Sequence, residues 1–391
     1  MNIKKRVDEL FHELVDIRRD FHMHPELSEN EERTSNKICE YLSKWGIEYK
    51  QGIANTGVVA IIRGKNQGKT VAARADIDAL PIIEENDISF KSVNNGIMHA
   101  CGHDVHTTIH LGVARLFKEM EDELEGNVKI FFQPAEETIG GAKRMIEDRC
   151  LKNPDVDYAL SLHVMPYMDV GHVELKYGKM NAATNEFSIK INGKSSHAAY
   201  PEKSVDAIVI SGYLITALQS FISRNISPLE PAVFTLGQIH GGIKNNIIAS
   251  EVIMSGTLRT LDPETRIYAK SRIKEIAENT AKAHGASAIV EFEEGYPALI
   301  NNDEVVDVLY ESAERILGKD NVHFKEFPSM GADDFSFFCN EVKGGYYNLG
   351  CGNKSKGWTA AIHSDEFMVD EECIKIGVIL QTETLIQLLK K

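Results

Sequence analysis

Three apolar runs in the first half of the chain each end in a cluster of polar residues, and this recurrence constrains the fold more than any other feature. "KTVAARADID" (69–78) closes on Arg74, Asp76 and Asp78, "NVKIFFQPAEE" (127–137) on Gln133, Glu136 and Glu137, and "VDYALSLHV" (156–164) on His163. Together with "TGVVAIIRG" (56–64) they read as strands, and helical patterns follow at Thr107–Met120 and in "GGAKRMIED" (140–148). Strands alternating with helices predict an α/β layer whose strands are largely parallel. Ligands of open α/β sheets bind outside the carboxyl ends of the strands, so three polar strand ends point to one shared crevice.

The pattern changes after "KYGKMNAATN" (176–185). A strand at 186–192, a helix at 203–223, strands at 232–239 and 251–259, a helix at 263–284 and a strand at 287–294 spell β-α-β-β-α-β, the ferredoxin-like split motif. "EEGYPALINND" (293–303) then leads back to helices, the strand "GGYYNLG" (344–350), a loop holding His363 and a closing helix. The expected organisation is a first catalytic part at 1–180, an inserted ferredoxin-like α+β domain at 181–294 and a second catalytic part at 295–391. A length of 391 residues, 43% of them hydrophobic, is ample for two cores.

A formal charge of −15 opposes phosphate backbones and anionic membrane surfaces, which excludes nucleic acid and membrane as partners. The opening segment reads as an amphipathic helix with Val7, Leu10, Leu14 and Ile17 on one face. It lacks the apolar core of a signal peptide, and no later stretch is expected to span a bilayer. Six dispersed cysteines without a CxxC pair predict a reduced, cytoplasmic protein.

"HACGHDVHTTIH" (99–110) carries His99, His103, His106 and His110 at the spacing of a single helical stripe. Gly102 is a poor helix former and Asp104 a good N-cap, so a helix is predicted from near Val105. That places Cys101 and His103 in the preceding loop and His106 and His110 on a packed helix face, with His99 open. Cys101 and His103 suit a zinc-type ion, yet a buried inert thiol, or a thiol nucleophile with His103 as its base, fits the same spacing. Glu136 and Glu137 are costly to bury unless one holds a metal and the other handles a proton, the alternative being a solvated acidic turn. His163 ends its apolar run either as a ligand or as a core histidine.

Taken together, these residues resemble the M20 metallopeptidase family, in its amidohydrolase branch of aminoacylase, hippurate-hydrolase and auxin-conjugate-hydrolase type enzymes. The resemblance runs through "RRDFHMHPELS" (18–28), "RADIDALPI" (74–82), "MHACGHDVH" (98–106), "FFQPAEET" (131–138), "LHV" (162–164), "SSHAAYP" (195–201), "GGIKNNII" (241–248), "GTLRT" (256–260), "MGADDFSFF" (330–338) and "IHSDEF" (362–367). It implies a mixed, largely parallel catalytic sheet whose inserted domain serves as a lid or for dimerisation. Two divalent metal ions per subunit (Zn, Mn, Co or Ni) are implied, with Cys101, His103, Glu137, His163 and His363 as ligands. Cys101 stands where related peptidases use a bridging aspartate. Glu136 is implied as general base, His197 and Asn246 as oxyanion or substrate contacts, Arg259 as partner of a substrate carboxylate, and Asp76 and Asp78 as residues that orient a histidine ligand.

The implied reaction is attack of a metal-activated water on the amide of an N-acyl amino acid or related small conjugate. A dipeptidase or carboxypeptidase using the same centre is the alternative. A homodimer, or dimer of dimers, is implied through the inserted domain, with His197 able to serve the partner's site. Three positions depart from the family pattern: Ala249 replaces a common proline, Asp333 a usual glutamate, and Thr138-Ile139 a common glycine-rich run. Asp333 and Asp334 also read as helix caps.

Overall fold

The computed structural model describes residues 1–391, in two compact units. The first comprises Met1–Met180, Ile300–Phe327 and Asp334–Lys391, and the second Asn181–Leu299 with Pro328–Asp333.

In the first unit the strands are β1 (Glu48–Ile53), β2 (Gly57–Arg63), β3 (Asn66–Asp76), β4 (Glu125–Gln133), β5 (Tyr158–Asp169) and β6 (Val173–Leu175), with β13 (Val322–Phe324) and β14 (Lys343–Gly352) later in the chain. Strands β7 (Gly178–Asn181) and β12 (Leu299–Asn301) lie where the chain leaves this unit and returns to it. The sheet runs β1-β2-β4-β3-β5-β14-β6-β13. Its centre, β4-β3-β5-β14, is parallel. The β1–β2, β2–β4 and β14–β6 pairs are antiparallel and β13–β6 is parallel, so the sheet is mixed, as the resemblance implies, with a parallel centre. The chain between β1 and β2 explains one flank: the connection at 54–56, with Ala54 and Asn55 at φ 51° and 81°, is a tight turn. A parallel pairing needs a crossover of a dozen or more residues.

The helices of this unit are α1 (Ile3–Met23), α2 (Glu32–Lys44), α3 (His103–Glu119) and α4 (Gly141–Glu147). After the second unit's α5 (Ala207–Asn225) and α6 (Pro263–Ala283) come α7 (Asp303–Leu317), α8 (Ser336–Glu341) and α9 (Glu372–Leu389). The stripe Val7, Leu10, Leu14, Ile17 and Phe21 of α1 is buried as its period predicts, and Asn2 caps the helix by accepting the Lys5 N–H at 3.0 Å. Helices α1, α3 and α9 pack together over the central strands. On β4, Val128, Ile130 and Phe132 join this core, while Phe131 turns the other way and stacks on Phe338 of α8 at 5.4 Å. A sheet covered on both faces needs strands that are apolar almost throughout, which is how these runs read.

The second unit holds β8 (Ala183–Asn192), β9 (Ala232–Gly241), β10 (Glu251–Thr260) and β11 (Ser287–Glu294) in the order β11-β8-β10-β9, every pair antiparallel. Helices α5 and α6 lay Ile210, Leu214, Leu218 and Phe221, and Ala269, Ile273, Ala277 and Ala281, onto Phe187, Ile189, Ile191, Val252 and Met254. Asp206 caps α5 by accepting Ile208 N at 2.9 Å, and Asp262 caps α6 through Thr265 N at 2.9 Å, with Pro263 as the first helical residue.

Helix α5 is long and apolar enough by composition to cross a membrane, contrary to the expectation that no stretch would be. Its sequence is apolar on two faces. One face fills the unit's core, and Ile208, Val209 and Tyr213 stand exposed on the other.

Candidate metal centre

Helix α3 starts at His103, earlier than the sequence suggests, because Gly102 rather than Asp104 is its N-cap. Gly102 sits at φ 85°, a conformation that glycine alone adopts freely, and a Cβ there would collide with Val164 Cγ2 on β5. The Asp104 carboxylate is committed elsewhere, accepting from Arg18 Nε and facing His22 Nδ1, both at 2.8 Å. Cys101 and His103 are thus fixed on either side of a forced turn, and both are buried.

Around this turn the donor atoms of five residues gather. Cys101 Sγ lies 3.3 Å from Nε2 of His163 and 3.3 Å from Nε2 of His363. His363 Nε2 is 3.2 Å from Glu137 Oε1, which is 3.9 Å from His103 Nε2. Two ligands bonded tetrahedrally to one zinc-type ion stand roughly 3.5 Å apart, so the spacing fits a shared ion. His103 Nε2 is a buried atom without a hydrogen-bond partner, a need that a bound cation would satisfy. Thiolate, imidazole and carboxylate together suit transition-metal ions of the zinc type.

Four of the five expected ligands are held from behind. His103 Nδ1 faces only acceptors, Asp78 O at 2.9 Å and Asp78 Oδ1 at 3.2 Å, so it carries a proton and turns Nε2 toward the ligand cluster. His163 Nδ1 faces its neighbour's carbonyl, Val164 O, at 2.8 Å, which likewise leaves Nε2 toward Cys101. Asp78 also accepts the Glu137 N–H at 3.0 Å. His363, at φ 64°, is anchored by its N–H on Ala100 O at 2.8 Å.

Asp76 faces His106 Nδ1 at 2.6 Å and Arg74 Nη1 at 2.7 Å, and lies 3.8 Å from His103 Nε2. His106 Nε2 accepts the Val164 N–H at 2.9 Å, so both its nitrogens are engaged away from the ligand cluster. His110 Nδ1 donates to His106 O at 2.7 Å. The packed-helix reading of His106 and His110 therefore stands. His99 is buried with neither ring nitrogen hydrogen-bonded.

The electrostatics oppose a cysteine nucleophile. Burial, then Glu137, Glu136 and Asp76, push the Cys101 thiol well above its ordinary range, whereas a reactive cysteine needs a stabilised thiolate. Burial disfavours a charge on His103, but Asp76, Asp78 and Glu137 outweigh it and raise that imidazole to about 10. Burial raises Glu137, and His363 and His103 overcome this and hold it below its ordinary value. A site that accumulates acids around a thiol is one built to receive positive charge. Glu136, 9% exposed, has its carboxylate within 4.8 Å of the ligand atoms of His103 and Glu137.

The remaining expected residues belong to the second unit. His197 and Asn246 are exposed and adjacent: their segments pair, with Ala198 N donating to Asn246 O at 3.0 Å. Arg259 is half-buried on β10 and donates to Thr257 Oγ1 at 2.9 Å. Of the "GADDF" pair, Asp334 caps α4. It accepts Ala142 N of α4 at 2.9 Å and Arg74 Nη2 at 2.6 Å, and Gln133 Nε2 donates to it at 2.8 Å. Sequence reasoning does not reach this buried clamp across the ends of β3 and β4, and only the strand-end clustering of Arg74 and Gln133 hints at it.

Residues 72–387 match the model of peptidase family M20/M25/M40. Thermostable carboxypeptidase 2 of Saccharolobus solfataricus is 39% identical over 381 residues, covering 96% of this chain and 95% of the relative. N-acetyl-L-cysteine deacetylase of Bacillus subtilis is 38% identical over 362 residues, covering 93% and 85%. The crystal structure of the Bacillus subtilis YXEP protein, described as a dinuclear metal binding peptidase from the M20 family, superposes with a TM-score of 0.85 at 32% identity, covering 98% of this chain and 99% of that one. With the family model spanning most of the sequence and relatives matched nearly end to end, this chain belongs to peptidase family M20/M25/M40 and is a hydrolase of amide bonds.

Proposed function

We propose that the protein hydrolyses the amide of N-acyl amino acids or related small conjugates at a two-metal centre held by Cys101, His103, Glu137, His163 and His363. The convergence of His103, Glu137, His163 and His363 on the Cys101 thiol carries the reading. Two overlapping groups, Cys101–His103–His163 and Cys101–Glu137–His363, share that sulfur, and these residues would hold the two ions. Zn, Mn, Co or Ni suits the donor set. When bound, such ions supply Lewis-acid polarisation of the scissile carbonyl and lower the pKa of water. Glu136 accepts the proton of the attacking water and returns it to the leaving nitrogen. Asp78 and Asp76 keep His103 and its surroundings oriented.

On this reading His197 and Asn246 donate to the developing oxyanion, and Arg259 receives the carboxylate of the substrate. The β-α-β-β-α-β unit is assigned as a ferredoxin-like lid or dimerisation domain. Exposed Ile208, Val209 and Tyr213 on α5, with Val233 and Ile239 on the edge strand β9, support a homodimer through it. We place the enzyme in the cytoplasm, on its free cysteines.

Dialysis against a chelator is expected to abolish hydrolysis of N-acetyl and N-benzoyl amino acids, and added Zn, Mn, Co or Ni to restore it. Full activity in metal-free protein would sink the proposal. Dipeptides and peptides with a free carboxyl terminus, run in parallel, test the dipeptidase or carboxypeptidase alternative, which the carboxypeptidase relative keeps in view.

A further inference from the structure

The segment 18–31 precedes the matched family region, holds the motif "RRDFHMHPELS", and contributes no metal ligand. It nevertheless reaches the back of three ligand-bearing segments. His22 is fully buried between two carboxylates, with Nδ1 2.8 Å from Asp104 Oδ2 and Nε2 3.1 Å from Glu84 Oε1. Asp104 directly follows the ligand His103 in the first turn of α3. Glu84 leads to the His363 loop. Its Oε1 accepts Asn86 Nδ2 at 3.2 Å, Asn86 Nδ2 donates to Phe367 O at 3.1 Å, and Glu85 N donates to Asp365 O at 2.9 Å.

Ser28 Oγ donates to Asp78 Oδ2 at 2.7 Å, the oxygen that accepts the Glu137 N–H, while Asp78 Oδ1 faces His103. Glu31 Oε1 accepts the Ala135 N–H at 2.9 Å and Oε2 accepts Thr56 Oγ1 at 2.7 Å. Ala135 is held at φ 55°, immediately before Glu136 and Glu137. Left-handed alanine and histidine conformations persist only where the surroundings over-determine them. The contacts of Glu31 with Ala135, and of Glu85 and Asn86 with the His363 loop, are such surroundings.

We propose that His22, Ser28 and Glu31 are positioning residues of the metal centre, setting the placement of His103, Glu137 and His363 through Asp104, Asp78, Glu84 and the Ala135 amide. The proposal rests on the metal-centre reading given above. A polar frame behind metal ligands orients them and tunes their basicity, and its loss typically costs about 10–100-fold in metal affinity.

The test is zinc affinity by chelator competition, with the absorption spectrum of the cobalt-loaded protein and the melting temperature of the metal-free protein measured on the same samples. Ser28→Ala, Glu31→Gln and His22→Gln are each expected to weaken zinc binding about 10-fold or more and to shift the cobalt–thiolate band. Ser28→Thr, which keeps the hydroxyl, is expected to restore affinity to within about threefold of the native protein. A purely structural role would lower the metal-free melting temperature and leave affinity and spectrum alone. Should His22→Gln or Glu31→Gln melt early, the Ser28→Ala and Ser28→Thr pair decides. Native affinity in all three variants, or failure of Ser28→Thr to recover what Ser28→Ala loses, overturns the proposal. If the native protein itself binds no zinc, the metal-centre reading is what fails.

Discussion

His106 Nε2 accepts the backbone N–H of Val164 at 2.9 Å, one residue beyond the proposed ligand His163, while its Nδ1 faces Asp76 at 2.6 Å. A buried imidazole with both nitrogens occupied cannot be replaced by an apolar group of similar size without stranding its partners. His106→Leu is therefore expected to lose roughly 2–4 kcal/mol of unfolding free energy, since one amide and part of one carboxylate are left unpaired. Denaturant unfolding of the metal-free protein measures this. A variant as stable as the native protein would show that the pin contributes nothing.

Glu136→Gln separates proton transfer from metal binding. The variant preserves size and polarity, so metal content measured by atomic absorption is expected to match the native protein. Turnover is expected to fall by roughly 10²–10⁴, the usual contribution of a general base. Near-native kcat would remove Glu136 from that role.

The pH dependence of stability has a testable contribution from His110. Burial pushes this histidine down from its ordinary 6.5 to about 4. Between those values the unfolded chain binds a proton that the folded chain refuses, so this contribution is fully present above pH 6.5 and declines as pH falls toward 4. The loss across that window is about 3 kcal/mol, because each pH unit within it costs about 1.36 kcal/mol. His110→Leu is expected to flatten the acid side of the stability profile by that amount in metal-free protein. Parallel profiles for variant and native protein would refute the assignment.

Arg259 is half-buried without a close ion pair, and burial lowers its pKa more than Glu186 raises it, so an incoming carboxylate relieves a partly desolvated cation. Arg259→Ala is expected to raise KM for N-acyl amino acids by roughly 10–100-fold, the worth of a charge-assisted hydrogen bond pair. The corresponding substrate amides, lacking the carboxylate, are expected to be nearly indifferent. Equal penalties on acid and amide would exclude the role.

The strand ends are legible in the sequence because chemistry and periodicity coincide there. Arg74 and Asp76 close β3, and Gln133 closes β4 with Glu136 and Glu137 just beyond it, whereas His163, read as a strand end, lies within β5, which runs on beside β14 to Asp169. The start of α3 is not legible, because tertiary contacts override a local rule. Asp104 has the right side chain for a cap, but the pull of Arg18 and His22 is stronger than that of a helix terminus, and Gly102 takes over the turn. The antiparallel flanks of the sheet escape because strand direction depends on the length and twist of short connections such as 54–56, which apolar patterning does not encode. The contacts of His22 with Asp104, Ser28 with Asp78, and Glu31 with Thr56 and Ala135 are invisible for a plainer reason: these partners lie 25 to 104 residues away in sequence.

Gly102 has one more consequence. On the proposed reading, its neighbours Cys101 and His103 can be exchanged for other donors, and each exchange would retune which ion the pocket prefers. The glycine between them allows no such drift, because any side chain there would wedge the start of α3 away from Val164 and part Cys101 from His163. Metal preference in this scaffold is thus free to diversify at the flanks of a tripeptide whose middle is frozen, and laboratory libraries aimed at new metals should vary 101 and 103 while leaving 102 untouched.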